Sequence, residues 1–382
     1  MERIEIERQV QARYGAAARE TEGALCCPVE YDSTLLEIIP DEVLAVDYGC
    51  GDPSRHVHPG ETVLDLGSGS GKSCFIAAQI VGPAGRVIGI DQNQEMLALA
   101  RRHQSTVATR LGYDNVTFQR ARIQDLATDL DAVERHLHDH PIASLEALQD
   151  LERRQQEQCR AHPLVADGTV DVVMSNCVLN LVADEQKEQL LHEIHRVLAR
   201  GGRAIISDIV ADEPIPARLK QDPELWSGCI SGAFEEHAFL EAFERAGFHG
   251  MEILERGDCP WRTVEGIEFR SVTIAARKGK DGPCWDRNQA VIYRGPWRAV
   301  TDDDGHTLHR GVPMAVCAKT YEIYTRAPYA DAILPVPPRV TVPPEDAVAF
   351  DCSGDRRRPP RETKGQAYRA TTDVAGSCCP SG

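Results

Sequence analysis

The chain has 382 residues and 13 cysteines, and three of these cysteines lie in local sequences that packing does not explain. Cys50 lies in a glycine-flanked turn, Cys177 directly follows an apolar segment, and Cys229 lies in a Gly/Ser-rich segment. A lone cysteine is usually a small buried hydrophobic residue. In a reducing compartment, however, cysteines more often bind a metal or metalloid, or act in catalysis, than form structural disulfides. These three thiols are therefore the first candidates for chemistry.

Five other cysteines are predicted to be structural. Cys74 falls inside a predicted helix, and the same buried role is expected for Cys159 and Cys259. Cys284 and Cys317 flank a β-rich segment, where they are predicted to belong to the core. A secondary thiol pair is the alternative for these two.

A glycine-rich loop, Asp65-Leu-Gly67-Ser-Gly69-Ser-Gly71, lies between a predicted strand and a predicted helix. Such a loop lets backbone amides approach a ligand closely. A dinucleotide fingerprint would need glycine where Lys72 stands, and a nucleotide P-loop would need glycine where Leu66 stands. The G-x-G-x-G form with a leading acidic residue resembles motif I of the class I S-adenosylmethionine-dependent methyltransferases.

An acidic residue follows the next predicted strand. Asp91 lies 20 residues after Gly71, where a carboxylate can accept hydrogen bonds from both hydroxyls of a ribose. The alternative role for Asp91 is a helix N-cap. By resemblance, Gln92 and Met96 would flank the adenosine. The full set assigned to S-adenosylmethionine is Asp65, Gly67, Gly69, Gly71, Asp91, Gln92, Met96, Ile123, Gln124 and Asn176.

Alternating strands and helices must position these residues. Short apolar segments predict strands at 62–66, 86–91, from 116, at 170–174 and at 203–208, with two more near 251–255 and 270–276. Helical periodicity predicts helices at 2–18, 73–80, 93–111, 184–199 and 235–246, with Gly201-Gly202 ending the fourth of these. This alternation predicts an α/β fold, a doubly wound Rossmann-like parallel sheet with helices on both faces. Ligands bind at the carboxyl edge of such sheets, so Cys177 and Cys229 are expected to face the cofactor crevice.

Composition and periodicity divide the chain into four parts. Residues 1–58 are predicted to form an N-terminal helix and cysteine-bearing loops, and residues 59–278 the cofactor-binding domain. A helical hairpin is inserted at 126–166; its His136, His138 and His140 are expected to be solvated, with a metal site as the alternative. Residues 279–333 are predicted to form a smaller β-rich domain, with strands at 289–293 and 320–324 around a turn at 301–305. The Pro-rich residues 334–382 are predicted to be extended or disordered.

Two segments carry a more specific resemblance. Ser175-Asn-Cys-Val-Leu-Asn-Leu181 and Cys229-Ile-Ser-Gly-Ala233 resemble the arsenite S-adenosylmethionine methyltransferases, and the resemblance runs from about Val10 to about Tyr329. It implies methylation of arsenite and then methylarsenite. Cys50, Cys177 and Cys229 would hold trivalent arsenic as thiolates, which are soft ligands for a soft metalloid.

The resemblance also implies a redox partner. Methylation oxidises arsenic to the pentavalent state, and Cys27 would restore the trivalent state by forming a disulfide with Cys50. Adjacent Cys26 is the alternative partner. An external thiol reductant such as thioredoxin or glutathione would then reduce the disulfide. The terminal Cys378-Cys379 pair would either capture arsenite or be inert.

The net charge of −17 argues against nucleic acid as a partner. No apolar run is long enough to span a membrane, and the charged N-terminus lacks a signal-peptide core, so a cytoplasmic location is expected. Two rival functions remain. A methyltransferase acting on carbon, oxygen or nitrogen would not depend on Cys177 or Cys229. A zinc- or metalloid-sequestering protein would not need the glycine loop and Asp91.

Overall fold

The computed structural model describes residues 3–25, 29–46 and 48–371. The chain divides into two compact units, residues 1–279 and 280–382. Cys26, Cys27 and the terminal Cys378-Cys379 pair lie outside the described residues. Of the helices in the described ranges, none combines the length and apolarity that crossing a bilayer requires.

The first unit carries most of the regular structure. Its helices are α1 Arg3–Ala17, α2 Ser33–Leu36, α3 Asp41–Leu44, α4 Lys72–Val81, α5 Gln94–Leu111, α6 Leu130–Asp139, α7 Leu145–Ala161, α8 Lys187–Val197, α9 Pro223–Ser227 and α10 Glu236–Arg245. Its strands are β1 Thr62–Leu66, β2 Arg86–Asp91, β3 Val116–Arg120, β4 Val170–Asn176, β5 Leu198–Ala211, β6 Phe234–Glu235, β7 His249–Arg256, β8 Arg262–Val264 and β9 Ile267–Arg277.

The strands of this unit form one sheet in the order β3-β2-β1-β4-β5-β9-β7, with β6 on β5 and β8 on β9. Pairing is parallel from β3 through β5, as the alternating pattern predicts. One strand of the order differs from the predicted parallel sheet, because β9 runs antiparallel to both of its neighbours, β5 and β7. The strand order reverses between β1 and β4, which places a ligand crevice at their carboxyl ends.

Alternate residues of the central strands enter two separate cores. Leu64 of β1 packs in the cluster that includes α8 and α10, whereas its neighbour Val63 packs in the cluster that includes α4 and α5. This period of two on a sheet covered on both faces is the doubly wound arrangement. The α/β fold predicted from the sequence is therefore confirmed.

Residues 126–166 form the predicted helical hairpin, α6 and α7, and neither helix contains a fully buried residue. The His136 and His140 rings stack with centroids 4.6 Å apart. His138 is not grouped with other potential ligands in the described part of the chain.

Two local predictions in the first unit are wrong. Helix α8 ends at Val197, and Gly201-Gly202 lie in β5, where Gly201 N donates to the Lys278 carbonyl. Sheet pairing overrides the helix-stop signal there, because β5 extends back to Leu198 beside β4. Two cysteines predicted to be buried are not: Cys259 is exposed, and Cys159 of α7 is only half-buried.

The second unit consists of short antiparallel pairs and two helices. Its strands are β10 Trp285–Asp286, β11 Ala290–Tyr293, β12 Ala299–Thr301, β13 Thr307–His309, β14 Pro313–Ala315, β15 Ile333–Val336 and β16 Val348–Ala349, and its helices are α11 Ala318–Tyr324 and α12 Pro360–Lys364. β11 pairs with β14 and β15, β10 pairs with β16, and β12 pairs with β13 across the predicted turn.

The structure corrects two predictions for this unit. Residues 320–324 belong to helix α11 instead of a strand, because Cys317 caps the helix and its sulfur accepts a hydrogen bond from Thr320 N. Residues 334–371 are not disordered: β15 pairs with β11, and buried Arg358 forms an ion pair with Asp286 at 2.7 Å. Proline content alone therefore misplaced the end of this unit.

Candidate active site

The glycine loop connects β1 to α4 at the crevice. Gly67, Gly69 and Gly71 all have positive φ angles, which side chains strongly disfavour. A Cβ at Gly69 would meet nothing within 4 Å, so the loop leaves open space beside its backbone. This space belongs to a pocket with an empty volume of about 1070 Å³.

Asp91 organises the rim of this pocket. One of its carboxylate oxygens accepts a hydrogen bond from Gly69 N at 2.9 Å, and the other accepts one from Asn93 N at 2.8 Å. Burial raises the pKa of Asp91, and these amides partly oppose the shift. Each oxygen keeps a lone pair for a ligand hydroxyl. The N-cap role considered for Asp91 goes instead to Asn93, whose side chain accepts from Met96 N.

The structure brings nine of the ten predicted cofactor residues into this pocket: Asp65, Gly67, Gly69, Asp91, Gln92, Met96, Ile123, Gln124 and Asn176. Gly71 does not line it. It begins α4, and a Cβ there would lie 2.8 Å from the Phe118 ring. Gly71 therefore lets the loop pack onto β3.

The pocket contains buried polar atoms without partners. Ser68 Oγ and Gln92 Oε1 have no hydrogen-bond partner among the described residues, and both residues line the pocket. A buried polar atom left unpaired is costly, and such atoms often mark a ligand position. The pocket therefore fits a polar ligand such as a nucleoside.

Cys177 and Cys229 share an unusual backbone conformation. Each has a φ angle of 61°, in the left-handed region. A non-glycine residue held there costs roughly 1–3 kcal/mol, and such strain clusters at functional sites. Cys177 directly follows β4, and Cys229 lies just after α9. The left-handed backbone at both positions gives the thiol a direction that a strand or helix backbone would not give it.

Cys50 reaches these thiols through a loop that Asn176 holds. Asn176 Oδ1 accepts hydrogen bonds from Cys50 N at 2.8 Å and Gly51 N at 3.2 Å, while Asn176 Nδ2 donates to the Gly51 carbonyl at 2.7 Å. A Cβ at Gly49 would lie 2.3 Å from Asn176 Nδ2, so this approach requires glycine. Asn176 lines the pocket as predicted, but its amide is committed to the Cys50 loop.

The three predicted thiols converge, although they are 127 and 52 residues apart in sequence. The ligand atoms of Cys50, Cys177 and Asp208 all lie within 4.8 Å of one another. Cys229 joins them through Cys177, because Cys229 Sγ donates a hydrogen bond to the Cys177 carbonyl at 3.3 Å. The convergence expected at the carboxyl edge of the sheet is therefore present.

Asp208 anchors the segment that follows Cys177. Its carboxylate accepts hydrogen bonds from Leu179 N at 2.9 Å and from Asn180 Nδ2 at 2.7 Å. Asn180 Nδ2 also approaches the Cys229 carbonyl at 3.4 Å. Burial raises the pKa of Asp208 to about 7. Asp208 and Asn180 thus fix the two segments that present Cys177 and Cys229.

The surroundings of Cys177 and Cys229 raise the pKa values of both thiols. The hydrogen bond with Cys229 lowers the pKa of Cys177, but the hydrogen bond with Cys50, burial and nearby negative charge outweigh it and raise that pKa well above its usual value. The pKa of Cys229 is raised well above normal by the contact with Cys177 and by burial. Tyr14 forms a hydrogen bond with Cys229, and burial raises the pKa of this tyrosine in turn.

Two cavities meet at the thiols. Cys177 lines the large pocket beside the glycine loop. Cys50 lines a second cavity with an empty volume of about 630 Å³, together with Val29 and Arg55. Val29 lies two residues after Cys27 in the chain. The thiol group is therefore accessible from the nucleoside-sized pocket through Cys177 and from the second cavity through Cys50.

Several site residues carry too weak a sequence signal to be found. Tyr14 and Val10 of α1 line the large pocket, although helical periodicity predicts only a helix at this part of the chain. Asp208 was noted as the end of a strand without a role. Its position at the carboxyl edge of the sheet was the available signal.

Comparison with known proteins agrees with this geometry. Residues 57–149 and 143–247 match a family described as a methyltransferase domain, and residues 280–368 match a domain of unknown function. The chain is 33% identical over 335 residues to an arsenite methyltransferase of Aquipseudomonas alcaligenes, covering 82% of this chain and 86% of that one. The chain belongs to the arsenite methyltransferase family. The human arsenite methyltransferase is 27% identical over 98% of this chain and 96% of its own.

A solved structure supports the same family. An arsenic(III) S-adenosylmethionine methyltransferase from Chlamydomonas reinhardtii superimposes with a TM-score of 0.55 at 27% identity, covering 85% of this chain and all of that one. The predicted class of enzyme, a class I S-adenosylmethionine-dependent methyltransferase, is confirmed.

Proposed function

We propose that this enzyme transfers a methyl group from S-adenosylmethionine to trivalent arsenic held by Cys50, Cys177 and Cys229. The observation that carries the proposal is the position of Cys177, which lines the pocket beside the glycine loop. Its thiol lies within 4.8 Å of the Cys50 thiol, and its carbonyl accepts a hydrogen bond from Cys229 Sγ. An arsenic atom on these sulfurs lies beside the pocket. A methyltransferase acting on carbon, oxygen or nitrogen would not need three converging thiols, and a sequestering protein would not need the pocket beside the glycine loop and Asp91.

The pocket residues fit the methyl donor. Asp91 would accept the ribose hydroxyls, and the unpaired Ser68 Oγ and Gln92 Oε1 would gain hydrogen-bond partners. When bound, the donor supplies an electrophilic methyl group on a sulfonium. The glycine loop and Asp91 hold that group in place, and orientation of this kind contributes roughly 7–11 kcal/mol to lowering a barrier.

Binding of arsenite to these thiols needs no external base. Each S–H proton can leave with one hydroxyl of arsenous acid as water while a sulfur–arsenic bond forms, so three thiols release three waters. This suits thiols such as Cys177 and Cys229, whose pKa values are raised well above normal. Trivalent arsenic held by three sulfurs would keep a lone pair, and that lone pair would be the acceptor for the methyl group that the donor supplies. The acceptor therefore carries no proton to remove.

Reduction of the methylated product is proposed to start at Cys27. Its thiolate attacks the Cys50 sulfur, a disulfide forms, and the electron pair of the broken arsenic–sulfur bond returns arsenic to the trivalent state. Methylarsenic then stays on Cys177 and Cys229. Cys50 lines the second cavity with Val29, which is near Cys27 in the chain, and this supports the pairing. An external thiol, thioredoxin or glutathione, reduces the disulfide.

The methyl transfer is tested by incubating the enzyme with arsenite, S-adenosylmethionine and thiol, then separating and weighing the arsenic species. We expect methylated arsenic from the parent and none from Cys177→Ser. Cys259→Ser is the matched control, because this exposed cysteine lies away from the site. Full activity of Cys177→Ser would favour a different methyl acceptor.

The reduction step is tested with two adjacent variants. Cys27→Ser should lose methylation of arsenite while retaining more of its activity on methylarsenite, and Cys26→Ser should resemble the parent. The reverse result would transfer the role to Cys26. Equal activity of both variants and the parent would exclude either residue. Running each assay with the thioredoxin system or with glutathione alone identifies the reductant that supports repeated turnover.

A further inference from the structure

A second thiol cluster lies in the C-terminal unit. The sulfur atoms of Cys284, Cys317 and Cys352 all lie within 4.8 Å of one another, and the three cysteines are free. Two thiolates that share one soft ion with bonds of about 2.3 Å lie roughly 4 Å apart. The three sulfurs are therefore spaced to contact a common ion with only a small adjustment.

Distant parts of the chain build this cluster. Cys284 precedes β10, Cys317 precedes α11, and Cys352 follows β16. β10 pairs with β16, and Phe350 N donates to the Cys284 carbonyl at 2.9 Å. This pairing brings the first and last of the three cysteines together.

Buried polar contacts hold the segments in place. Gln289 Nε2 donates to the Val316 carbonyl at 2.6 Å, which fixes the residue before Cys317. Arg358 forms a buried ion pair with Asp286 and donates to the Gln289 carbonyl at 3.2 Å. Since these contacts leave the three thiols close without a disulfide, the cluster is organised before any ligand arrives.

The three thiols of the cluster differ in pKa and in exposure to solvent. Burial raises the pKa of Cys317, but hydrogen bonds from Thr320 and from the other two thiols outweigh it and hold that pKa below its usual value. Burial and the neighbouring thiols raise the pKa of Cys352 to about 12. Cys317 is fully buried, whereas Cys284 and Cys352 are half-buried, so a ligand can enter past these two.

The geometry points to a second trivalent arsenic site in the C-terminal unit, formed by Cys284, Cys317 and Cys352. Arsenous acid would lose three hydroxyls as water, with one thiol proton each, and form three arsenic–sulfur bonds without any change of oxidation state. Three thiolates neutralise trivalent arsenic, which suits a site packed against Ala315 and Phe350. The site is independent of the proposed chemistry at Cys177.

Zinc fits the cluster less well. A structural zinc ion takes four ligands, and three thiolates leave it with a net negative charge. In the part of the second unit that the structure describes, no fourth His, Cys, Asp or Glu joins this group of ligand atoms. A three-coordinate pyramidal metalloid uses the available sulfurs fully.

The test is residue-resolved protection from alkylation. The full chain with Cys50, Cys177 and Cys229 all changed to serine is treated with iodoacetamide, with and without arsenite, and each cysteine-containing peptide is followed by mass spectrometry. Arsenite at ten times its dissociation constant should slow alkylation of the second cluster about tenfold. Cys259, exposed and outside both clusters, serves as the internal control.

Two variants keep the result interpretable. Adding Cys352→Ser, at a half-buried position, should abolish protection of Cys284 and Cys317, and Cys317→Ser should do the same for the other two. Unchanged alkylation with arsenite would overturn the proposal, as would protection by zinc alone. Because the first cluster is absent from this protein, failure here leaves the proposed methyl transfer standing.

Discussion

The amide of Asn176 offers the sharpest test of how the active site is assembled. Replacing Asn176 with alanine removes the hydrogen bonds to Cys50 N, Gly51 N and the Gly51 carbonyl, which span 2.7 to 3.2 Å. A buried backbone group that loses its partner costs roughly 1–3 kcal/mol, and water entering from the adjoining cavities offsets part of this. We therefore expect the free energy of unfolding to fall by about 3 kcal/mol.

Ligand binding distinguishes two roles for Asn176: positioning the Cys50 loop, and binding the methyl donor directly. A group that orients a metal ligand typically changes affinity by roughly 10–100-fold, so Asn176→Ala should weaken arsenite binding by about that factor. Binding of S-adenosylmethionine should change little, because the amide is already occupied by the Cys50 loop. Both affinities are measured by calorimetry at a temperature where each variant is folded.

Asn115→Ala is the matched control. Its half-buried amide donates to the Ala78 and Gly82 carbonyls at 3.1 and 2.9 Å, away from the crevice. It should lower stability by about 1–2 kcal/mol and leave arsenite affinity unchanged. If Asn176→Ala binds arsenite like the parent but loses the methyl donor, Asn176 is a cofactor ligand and the positioning argument is refuted.

Three further changes have defined outcomes. Cys177 has a φ angle of 61°, so Cys177→Gly should be more stable than Cys177→Ala by about 1 kcal/mol in denaturant titrations. Cys74 lies inside helix α4, where the order should be reversed: Cys74→Gly should be less stable than Cys74→Ala by a similar amount. Burial raises the pKa of Asp208 from 3.8 to about 7, so between these pH values the native state holds a proton on this carboxyl that the unfolded state has lost. The free energy of unfolding of the parent should therefore fall as the pH rises through this range, by up to about 4 kcal/mol. The side chain of Asp208→Asn does not titrate. The difference in free energy of unfolding between the parent and this variant should therefore fall over the same pH range and stay constant above it. Asp91→Asn should weaken S-adenosylmethionine binding roughly 10–100-fold by calorimetry and leave arsenite binding unchanged.

Each of these has an opposing result. If the glycine variant were less stable than the alanine variant at Cys177 as well as at Cys74, the backbone of Cys177 would not be strained in the arsenic-free enzyme. A pH-independent stability difference for Asp208→Asn would place the carboxylate pKa near its ordinary value. Normal donor affinity in Asp91→Asn would remove the ribose role of that carboxylate.

Local sequence patterns determined much of the methyltransferase unit. Apolar segments of five to seven residues can be buried on both faces only as central strands, and the periodic segments between them can only be covering helices. The glycine loop and Asp91 follow from the same logic, since both lie at the carboxyl ends of strands. The signal failed at Gly201-Gly202, where pairing along β5 outweighed a helix stop, and at residues 320–324, where a cysteine cap favoured α11.

The sequence by itself marked the thiols that could react at the crevice, because Cys177 directly follows a strand that the pattern reveals and Cys229 lies in a Gly/Ser-rich segment. Only the tertiary structure decided how the thiols are held and joined. Asn176 forms hydrogen bonds with the Cys50 loop, which lies 126 residues away in sequence. Cys352, which carries no local signal, meets Cys284 and Cys317 through the pairing of β10 with β16. Contacts between residues so far apart in sequence depend on strand register and packing across the whole unit, and no short segment encodes them.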